Sequence, residues 1–463
     1  MALSSTSPDV ARILRTSISG RVVTAEDPEY DDLRASVYGL GPPPAAIVQP
    51  ADAADVSRAV VVAAEHDLEI AVRSGGHSSA MHSSTDGGIL LDMSSMKSIE
   101  IDPAARTAWA ETGLTAGEVT VAAGAHGLAV GFGDTASVGI GGITLGGGIG
   151  YLVRKHGLTI DSLLAAEIVT ADGQIRQIDA ERDPDLFWAI RGGGGNFGVV
   201  TRFKYRLVDL PQVVGGILVL PATPEVIAGF MSAADAAPDD VSAIANVMQC
   251  PPMPFVPEDR HGSLVVLVLM AHAGPAEEAE AALAPFRALA EPIADLLRPI
   301  TYPEMYPPDD GGPPGEHPAV ATRTMFVDHV DRDDAQLIVE RVEEHMASTD
   351  AVMVAAQLRV LGGAMARVPV DATAFAHRGS RILVNLAVMF PAGGEASVHD
   401  AWVAGLADAL HQGDDGHYVN FVGPEGGDNP RLGYPDATWE RLVEVKRRYD
   451  PTNLFRRNHN VAP

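Results

Sequence analysis

The run Arg73-Ser74-Gly75-Gly76-His77-Ser78 is the part of this sequence that most suggests chemistry. Adjacent glycines let the backbone turn tightly and present consecutive N–H groups to an anion, a geometry that proteins use to hold phosphate. A short alternating stretch, residues 69–72, comes directly before it and predicts a strand that ends where the turn begins. Because Gly-Gly-His also occurs in ordinary exposed loops, the run alone leaves both interpretations open.

Glycine density is the second chemical signal. The sequence contains 47 glycines, and many of them cluster between residues 131 and 198. The stretch 131–150 loses much conformational entropy on ordering, and it is too apolar to be a flexible linker. Either its backbone approaches a large flat ligand, or one backbone packs tightly on another. A further cluster at residues 192–198 favours the ligand.

Gly193-x-Gly195-x-x-Gly198 matches the dinucleotide-binding fingerprint letter by letter. A Rossmann site needs a strand before the motif and a helix after it. Here a predicted helix, residues 184–190, precedes the glycines and a predicted strand, residues 199–208, follows them. The order of elements therefore excludes NAD(P) binding through this motif.

The elements that must position these glycines predict an α+β fold. A strand–helix–strand unit comes first and two hairpins follow it. From residue 212 to about 414 the glycine clusters disappear, and strands and helices alternate, which predicts one large antiparallel sheet backed by helices. The first unit has predicted strands at 45–50, 70–73 and 88–92 and a predicted helix at 51–66. The hairpins are predicted at 99–111 and 162–178. A long loop is predicted at 302–318 and a closing helix at about 437–449.

Composition excludes several classes of protein. The 463 residues are 46% hydrophobic and 20% charged, as in globular proteins, and contain no apolar run long enough to span a membrane. The net charge of −28 argues against nucleic-acid and anionic-membrane partners. The single cysteine, Cys250, excludes an internal disulfide and cysteine-based zinc sites, and no metal is expected. Without a signal-like start at Met1, we expect a cytoplasmic protein.

Several motifs together resemble one family, the berberine-bridge-enzyme-like oxidases of the vanillyl-alcohol-oxidase flavoprotein superfamily. The resemblance implies a two-lobed, PCMH-type FAD-binding domain at residues 1–211, with its core at about 42–211. It also implies a substrate domain at 212–414 and a C-terminal segment, 415–463, that returns to the FAD domain. The motifs that carry it are 73–78, 139–150 with 154–157, 185–200, Tyr418-x-Asn420 and 449–460.

The same resemblance implies FAD as cofactor, with the turn at 73–78 on the pyrophosphate and His77 bonded to the flavin 8α-methyl. A largely neutral imidazole suits such a bond. Thr135 stands where many relatives carry a second, cysteinyl tether, so we expect a link through His77 only. Val138 stands at the oxygen-gating position and favours reaction with O₂. The remaining cofactor contacts implied are Gly139, Gly141, Gly142, Gly146, Gly147, Gly148, Gly150, Gly198, Val200, Asn458 and Asn460.

The implied activity is hydride transfer from an alcohol or amine carbon of a small molecule to the flavin, with O₂ reduced to H₂O₂. Tyr418 is the candidate base. A phenol has a reference pKa of about 10, so neighbouring groups must assist it to act as a base near neutral pH. Asn420 would orient it. His156 replaces a tyrosine of many relatives and either shares this role or fills a surface turn. The alternatives are a natural-product tailoring oxygenase or cyclase, and a flavin-binding protein without dehydrogenation activity.

Polar residues of the second domain are further candidates for the pocket. Gln357, Arg359 and Arg367 either face the substrate or serve burial and salt bridging.

Overall fold

The computed structural model describes residues 7–307, 318–423 and 429–463. Its elements form three main sheets, and each sheet has its own hydrophobic core. Two of the sheets belong to the half of the chain that contains the glycine clusters, and the third and largest belongs to the following part. No helix in the described ranges combines the length and apolar character needed to cross a bilayer.

The first sheet contains the predicted strand–helix–strand unit. Its order is β1-β4-β6-β5, with β4, β6 and β5 parallel and β1 antiparallel at the edge. The Asp52 side chain caps α3, whose apolar face is buried against the sheet. β5 ends at Arg73, so the glycine turn leaves the carboxyl end of a parallel strand, where α/β sheets bind ligands. The elements are α1 (Ser7–Ser17), β1 (Arg21–Val23), α2 (Tyr30–Arg34), β2 (Ala35–Ser36), β3 (Gly39–Leu40), β4 (Ala46–Gln49), α3 (Ala53–Glu65), β5 (Ile70–Arg73) and β6 (Ile89–Asp92).

The second sheet is antiparallel, in the order β11-β10-β12-β8-β7, and contains both predicted hairpins. Helix α7 precedes the glycine cluster at residues 192–198 and strand β12 follows it. This confirms the order of elements that excluded a Rossmann site. Sequence analysis missed the short helix α5 within the glycine run. The elements are β7 (Ile99–Asp102), β8 (Thr107–Glu111), α4 (Ala116–Gly124), β9 (Leu128–Ala129), α5 (Ile140–Gly146), α6 (Val153–His156), β10 (Leu163–Val169), β11 (Ile175–Asp179), α7 (Pro184–Ala189), β12 (Val199–Arg206) and β13 (Val208–Asp209).

The third sheet is the predicted large antiparallel sheet, in the order β17-β14-β16-β15-β20-β21-β19. Helices cover one of its faces. Sequence analysis missed α8 and β19, and most of the predicted loop at 302–318 lies outside the described residues. The elements are β14 (Val213–Pro221), α8 (Pro224–Ala236), β15 (Val241–Gln249), β16 (Leu264–His272), α9 (Ala276–Arg287), β17 (Ala294–Asp295), β18 (Arg298–Ile300), β19 (Ala319–Val327), α10 (Arg332–Ser348), β20 (Met353–Val360), α11 (Ala364–Arg367), β21 (Ile382–Phe390) and α12 (Ala396–Leu410).

The last helix, α13 (Asp436–Tyr449), brings the end of the chain back onto the glycine clusters. Its Lys446 side chain is fully buried and donates to the Asn196 carbonyl at 2.7 Å and to the Phe455 carbonyl at 2.9 Å. It also pairs with the Asp450 carboxylate at 2.7 Å. Val461 N–H completes the connection by donating to the Asn196 side chain. One buried cation therefore joins the C-terminal tail to the loop at residues 192–198.

We expect Lys446→Met to destabilise the protein by about 3–5 kcal/mol, because it leaves the Asp450 carboxylate buried without its cation. Lys97→Met is the matched control, because the Lys97–Glu118 pair is largely exposed and is worth about 1 kcal/mol or less. Urea denaturation followed by circular dichroism measures both. Equal effects of the two substitutions would contradict this account of the buried pair.

Candidate active site

A cavity of about 640 Å³ lies between the glycine-rich segments and the uncovered face of the large sheet. The turn after β5 and the segment around α5 form its floor, and β19, β20 and β21 form its roof. The end of the chain adds part of the wall through residues 455–459. The size is typical of a pocket that buries a cofactor or a drug-sized ligand.

The floor depends on a close approach of two glycines. A Cβ atom on Gly75 would collide with the backbone of Gly139, and a Cβ on Gly139 would collide with Gly75. The Ser74 hydroxyl strengthens this junction by donating to the Thr112 carbonyl at 2.5 Å and accepting from Gly141 N–H at 3.1 Å. Tight packing of one backbone on another therefore explains part of the glycine run.

The predicted cofactor residues divide into those that line the cavity and those that do not. The lining residues are Ser74, Gly75, Gly76, His77, Ser78, Thr135, Val138, Gly139, Gly141, Gly142, Gly198, Val200 and Asn458. Arg73, Gly146, Gly147, Gly148, Gly150 and Asn460 lie behind this surface.

On the side where a Cβ would point, the glycines behind the surface face other parts of the protein. A Cβ on Gly146 would collide with the Asn420 side chain, and one on Gly148 would collide with the Thr159 hydroxyl. A Cβ on Gly150 would collide with the Phe132 carbonyl oxygen. By contrast, a Cβ on Gly142 meets no protein atom within 4 Å, so this residue leaves open space toward the cavity.

Arg73 also has a structural role in place of its predicted cofactor contact. Its buried guanidinium pairs with the Asp92 carboxylate at 3.3 Å and donates to the carbonyls of Ala35 and Leu33. The side chain thus anchors the N-terminal segment beneath the turn, while the backbone of residues 74–78 meets the cavity.

The walls contain polar groups that fit a large polar ligand such as FAD. His82 Nε2, Ser83 Oγ and Asn458 Oδ1 are buried and have no hydrogen-bond partner within the described part of the chain. Buried polar atoms are rarely left in this state unless a ligand or water pairs with them. Burial, with His459 and Arg457 nearby, lowers the pKa of His82 to about 3, so its ring is neutral at pH 7.

Tyr418 and Asn420 lie together against the cavity. The Asn420 amide nitrogen donates to the Ile143 carbonyl at 3.1 Å, which fixes the orientation of the amide. The same nitrogen donates to the Tyr418 hydroxyl oxygen at 2.9 Å, and Gly148 N–H donates to that oxygen at 3.0 Å. Two donors therefore occupy the lone pairs of the phenol oxygen.

Burial raises the pKa of Tyr418 above its usual value, and the hydrogen bonds from Asn420 and Gly148 oppose this rise. The positive charge of Arg359 opposes it as well. The hydroxyl is protonated at neutral pH, and the same three groups would stabilise a negative charge on its oxygen.

The structure does not bring His156 to this site. It lies at the end of α6, outside the residues that line the cavity, and its charged neighbours are Lys155 and Asp240. Burial lowers the pKa of its imidazole, with a further contribution from Lys155. The prediction that His156 assists Tyr418 therefore has no support in the geometry.

Two of the three polar candidates from the second domain do line the cavity. The Arg359 guanidinium pairs with Asp134 at 2.7 Å and donates to the Gln357 side chain at 2.8 Å. Arg359 therefore forms a salt bridge and also lines the cavity. Arg367 instead pairs with Asp239 on the surface. Sequence analysis missed Asp134, whose position beside Thr135 in the glycine run was the available signal.

Comparisons with known proteins agree with this geometry. Residues 44–179 match the family model described as an FAD binding domain, and residues 417–462 match the model described as berberine and berberine like. An uncharacterised FAD-linked oxidoreductase of Bacillus subtilis, YgaK, is 30% identical over 465 residues, which cover 97% of this chain and 98% of the relative.

Solved structures share the whole fold. The structure of 6-hydroxy-D-nicotine oxidase from Arthrobacter nicotinovorans has a TM-score of 0.84 at 26% identity and covers 96% of this chain and 98% of its own. Glucooligosaccharide oxidase from Acremonium strictum, whose FAD is described as 6-S-cysteinyl and 8α-N1-histidyl, has a TM-score of 0.83 at 21% identity. It covers 98% of this chain and 99% of its own, and at this identity it supports the fold alone.

We expect the two kinds of glycine in the floor to respond oppositely to substitution. Gly142→Ala should keep or raise the thermal midpoint, because alanine stabilises a helix by about 0.5–1 kcal/mol relative to glycine. Gly142→Leu should lower the flavin content, since the larger side chain enters the cavity. Gly75→Ala should lower the midpoint, because its Cβ collides with Gly139.

Circular dichroism gives the midpoints, and the ratio of flavin to protein absorbance gives the occupancy. Full flavin content in Gly142→Leu would show that the cofactor lies elsewhere.

Proposed function

The chain belongs to the berberine-bridge-enzyme-like family of FAD-linked oxidoreductases, and from that premise we propose that it is an oxidase of small-molecule alcohols or amines that forms H₂O₂. The observation that carries this proposal is that His77 and Tyr418 line the same cavity, with two hydrogen-bond donors on the Tyr418 oxygen. When bound, FAD supplies the two-electron acceptor for the substrate carbon and passes the electrons to O₂.

Tyr418 is the residue that we assign to proton transfer. Because Gly148 and Asn420 donate to its oxygen, its own hydrogen is directed away from them, and the cavity is the open side. Its ionised form would take the proton from the substrate hydroxyl or amine while the carbon loses its hydride. The two donors and the nearby Arg359 stabilise the negative charge on the Tyr418 oxygen before it accepts the substrate proton.

A single covalent link through His77 is part of the proposal. His77 follows Gly76, whose φ of +71° produces the turn that presents the imidazole to the cavity. The one cysteine of the sequence, Cys250, is buried in an apolar cluster of the large sheet with Val219 and Val265. Thr135, at the cavity wall, has no thiol to offer, so a cysteinyl link has no donor.

Val138 supports O₂ as the electron acceptor. Its side chain lines the cavity between Thr135 and Gly139, and a β-branched valine is smaller than a leucine at the same position. We propose that this leaves O₂ a route to the flavin.

We expect acid precipitation to leave yellow colour in the protein pellet, because a covalent link survives unfolding. In His77→Ala, the flavin should pass into the supernatant although the folded variant still binds it. Absorbance of the two fractions and the mass of the flavin-bearing peptide measure the link. Release of flavin from the unaltered protein would refute the His77 bond.

We expect Tyr418→Phe to keep its flavin and to slow anaerobic flavin reduction by a donor about 10²–10⁴-fold, the usual contribution of a positioned acid or base. Because the pKa of Tyr418 is raised, the unaltered enzyme should react faster as pH rises from 6 toward 10. The variant should lose this dependence. Stopped-flow absorbance measures both rates, and H₂O₂ is assayed when air is admitted.

Unchanged reduction in Tyr418→Phe would remove Tyr418 from the mechanism. A flavin that no donor bleaches would favour a flavin-binding protein without dehydrogenation activity.

A further inference from the structure

The roof of the cavity changes in polarity from one end to the other. Its outermost row, formed across three neighbouring strands, is Val320, Met389 and Met353, because Met389 pairs in register with both of the others. All three side chains are apolar and half-buried. This end of the roof offers an apolar contact surface to a ligand.

Polar side chains occupy the row four residues further in. Asn385 pairs with Gln357 across β21 and β20, about 13 Å from the outer row at the usual rise of a strand. The Gln357 amide donates to the Asn246 side chain at 2.9 Å and accepts from Arg359, so its orientation is fixed. The intervening row is built from the small residues Ala387 and Thr322, which leave room for a ligand.

Arg359 closes the inner end of the roof. It is 4% exposed, and its guanidinium lies 4.8 Å from the centre of the Phe421 ring. Two of its nitrogens are paired with Gln357 and Asp134, while Nη1 is buried and has no hydrogen-bond partner within the described residues. A buried donor of this kind requires an acceptor oxygen, and a ligand in the cavity can supply one.

The charges of the site oppose a cationic ligand. Asp134 is the one carboxylate among the described residues that line the cavity, and Arg359 already neutralises it at 2.7 Å. An ammonium group brought to this place would meet the guanidinium and find no free carboxylate, which makes its desolvation costly. A sugar would bind unfavourably at the outer row, because its hydroxyls would lose water there and find only two methionines and a valine.

We infer that the substrate is a neutral, amphipathic alcohol, with an oxygen-bearing end near Tyr418 and Arg359 and a hydrocarbon body under Val320, Met353 and Met389. The inference rests on the proposed function and narrows it from alcohols and amines to hydrophobic alcohols. It also separates this chain from enzymes that act on sugars.

The experiment uses the flavin-loaded protein under anaerobic conditions. Dissociation constants are measured from the perturbation of the flavin absorption spectrum by 2-naphthylmethanol, benzyl alcohol, 2-naphthylmethylamine at pH 7, D-glucose and cellobiose. We expect 2-naphthylmethanol to bind about tenfold more tightly than benzyl alcohol and at least about tenfold more tightly than the charged amine, with no saturable binding of the sugars.

Met353→Ser and Met389→Ser should each weaken 2-naphthylmethanol binding by about tenfold and affect benzyl alcohol less. Met248→Ser is the matched control, because Met248 is half-buried on the same sheet and packs in a different cluster outside the cavity. An unchanged thermal midpoint and flavin spectrum verify that each variant is folded.

Tighter binding of the amine or of cellobiose than of 2-naphthylmethanol would overturn the inference, and so would equal affinities in Met353→Ser, Met389→Ser and Met248→Ser. Failure of the proposed function itself shows differently, as a protein without flavin or as a flavin that no bound alcohol or amine reduces.

Discussion

The contact of Gly75 with Gly139 is the constraint on which the rest of this structure depends. It joins the turn at the end of a buried parallel strand to the glycine-rich segment around α5, and neither backbone tolerates a Cβ at the junction. Because the two segments approach this closely, His77, Val138 and Gly142 share one surface. Ordering so many glycines costs conformational entropy, which the close packing of the two segments helps to offset.

Two polar connections then join other parts of the chain to that floor. The Asp134–Arg359 pair links the glycine run to β20, and the hydrogen bonds to Tyr418 link the C-terminal segment to Gly148. Both lie in protein interior, where hydrogen bonds to charged groups are stronger than in water and where unpaired groups are costly. Arg359, which ties the roof to the glycine run, therefore also contributes to the charge around the phenol.

Much of this architecture could be predicted from the sequence, because short-range patterns determine it. The glycine turn, both hairpins and the large sheet follow from periodicity and turn residues within a few positions of each other. The functions of individual glycines could not be predicted in this way. Gly148 faces Thr159 and Gly146 faces Asn420, and no local pattern distinguishes them from Gly142, which faces open space.

Contacts between side chains from distant parts of the chain could not be predicted from the sequence either. Asp134 and Arg359 are 225 positions apart, and nothing near either residue identifies its partner. For His156, the motif left open a catalytic share and a place in a surface turn, and the residue is not among those that line the cavity. The fold class and the family, which depend on many positions at once, were confirmed.

The buried Lys446 has a consequence for the closure of the cavity. Its ammonium group bonds to the carbonyls of Asn196 and Phe455 and so holds the loop and the tail together, and residues 455–459 complete the cavity wall. His77 and this tail come from distant parts of the sequence, so neither segment encloses the pocket without the other.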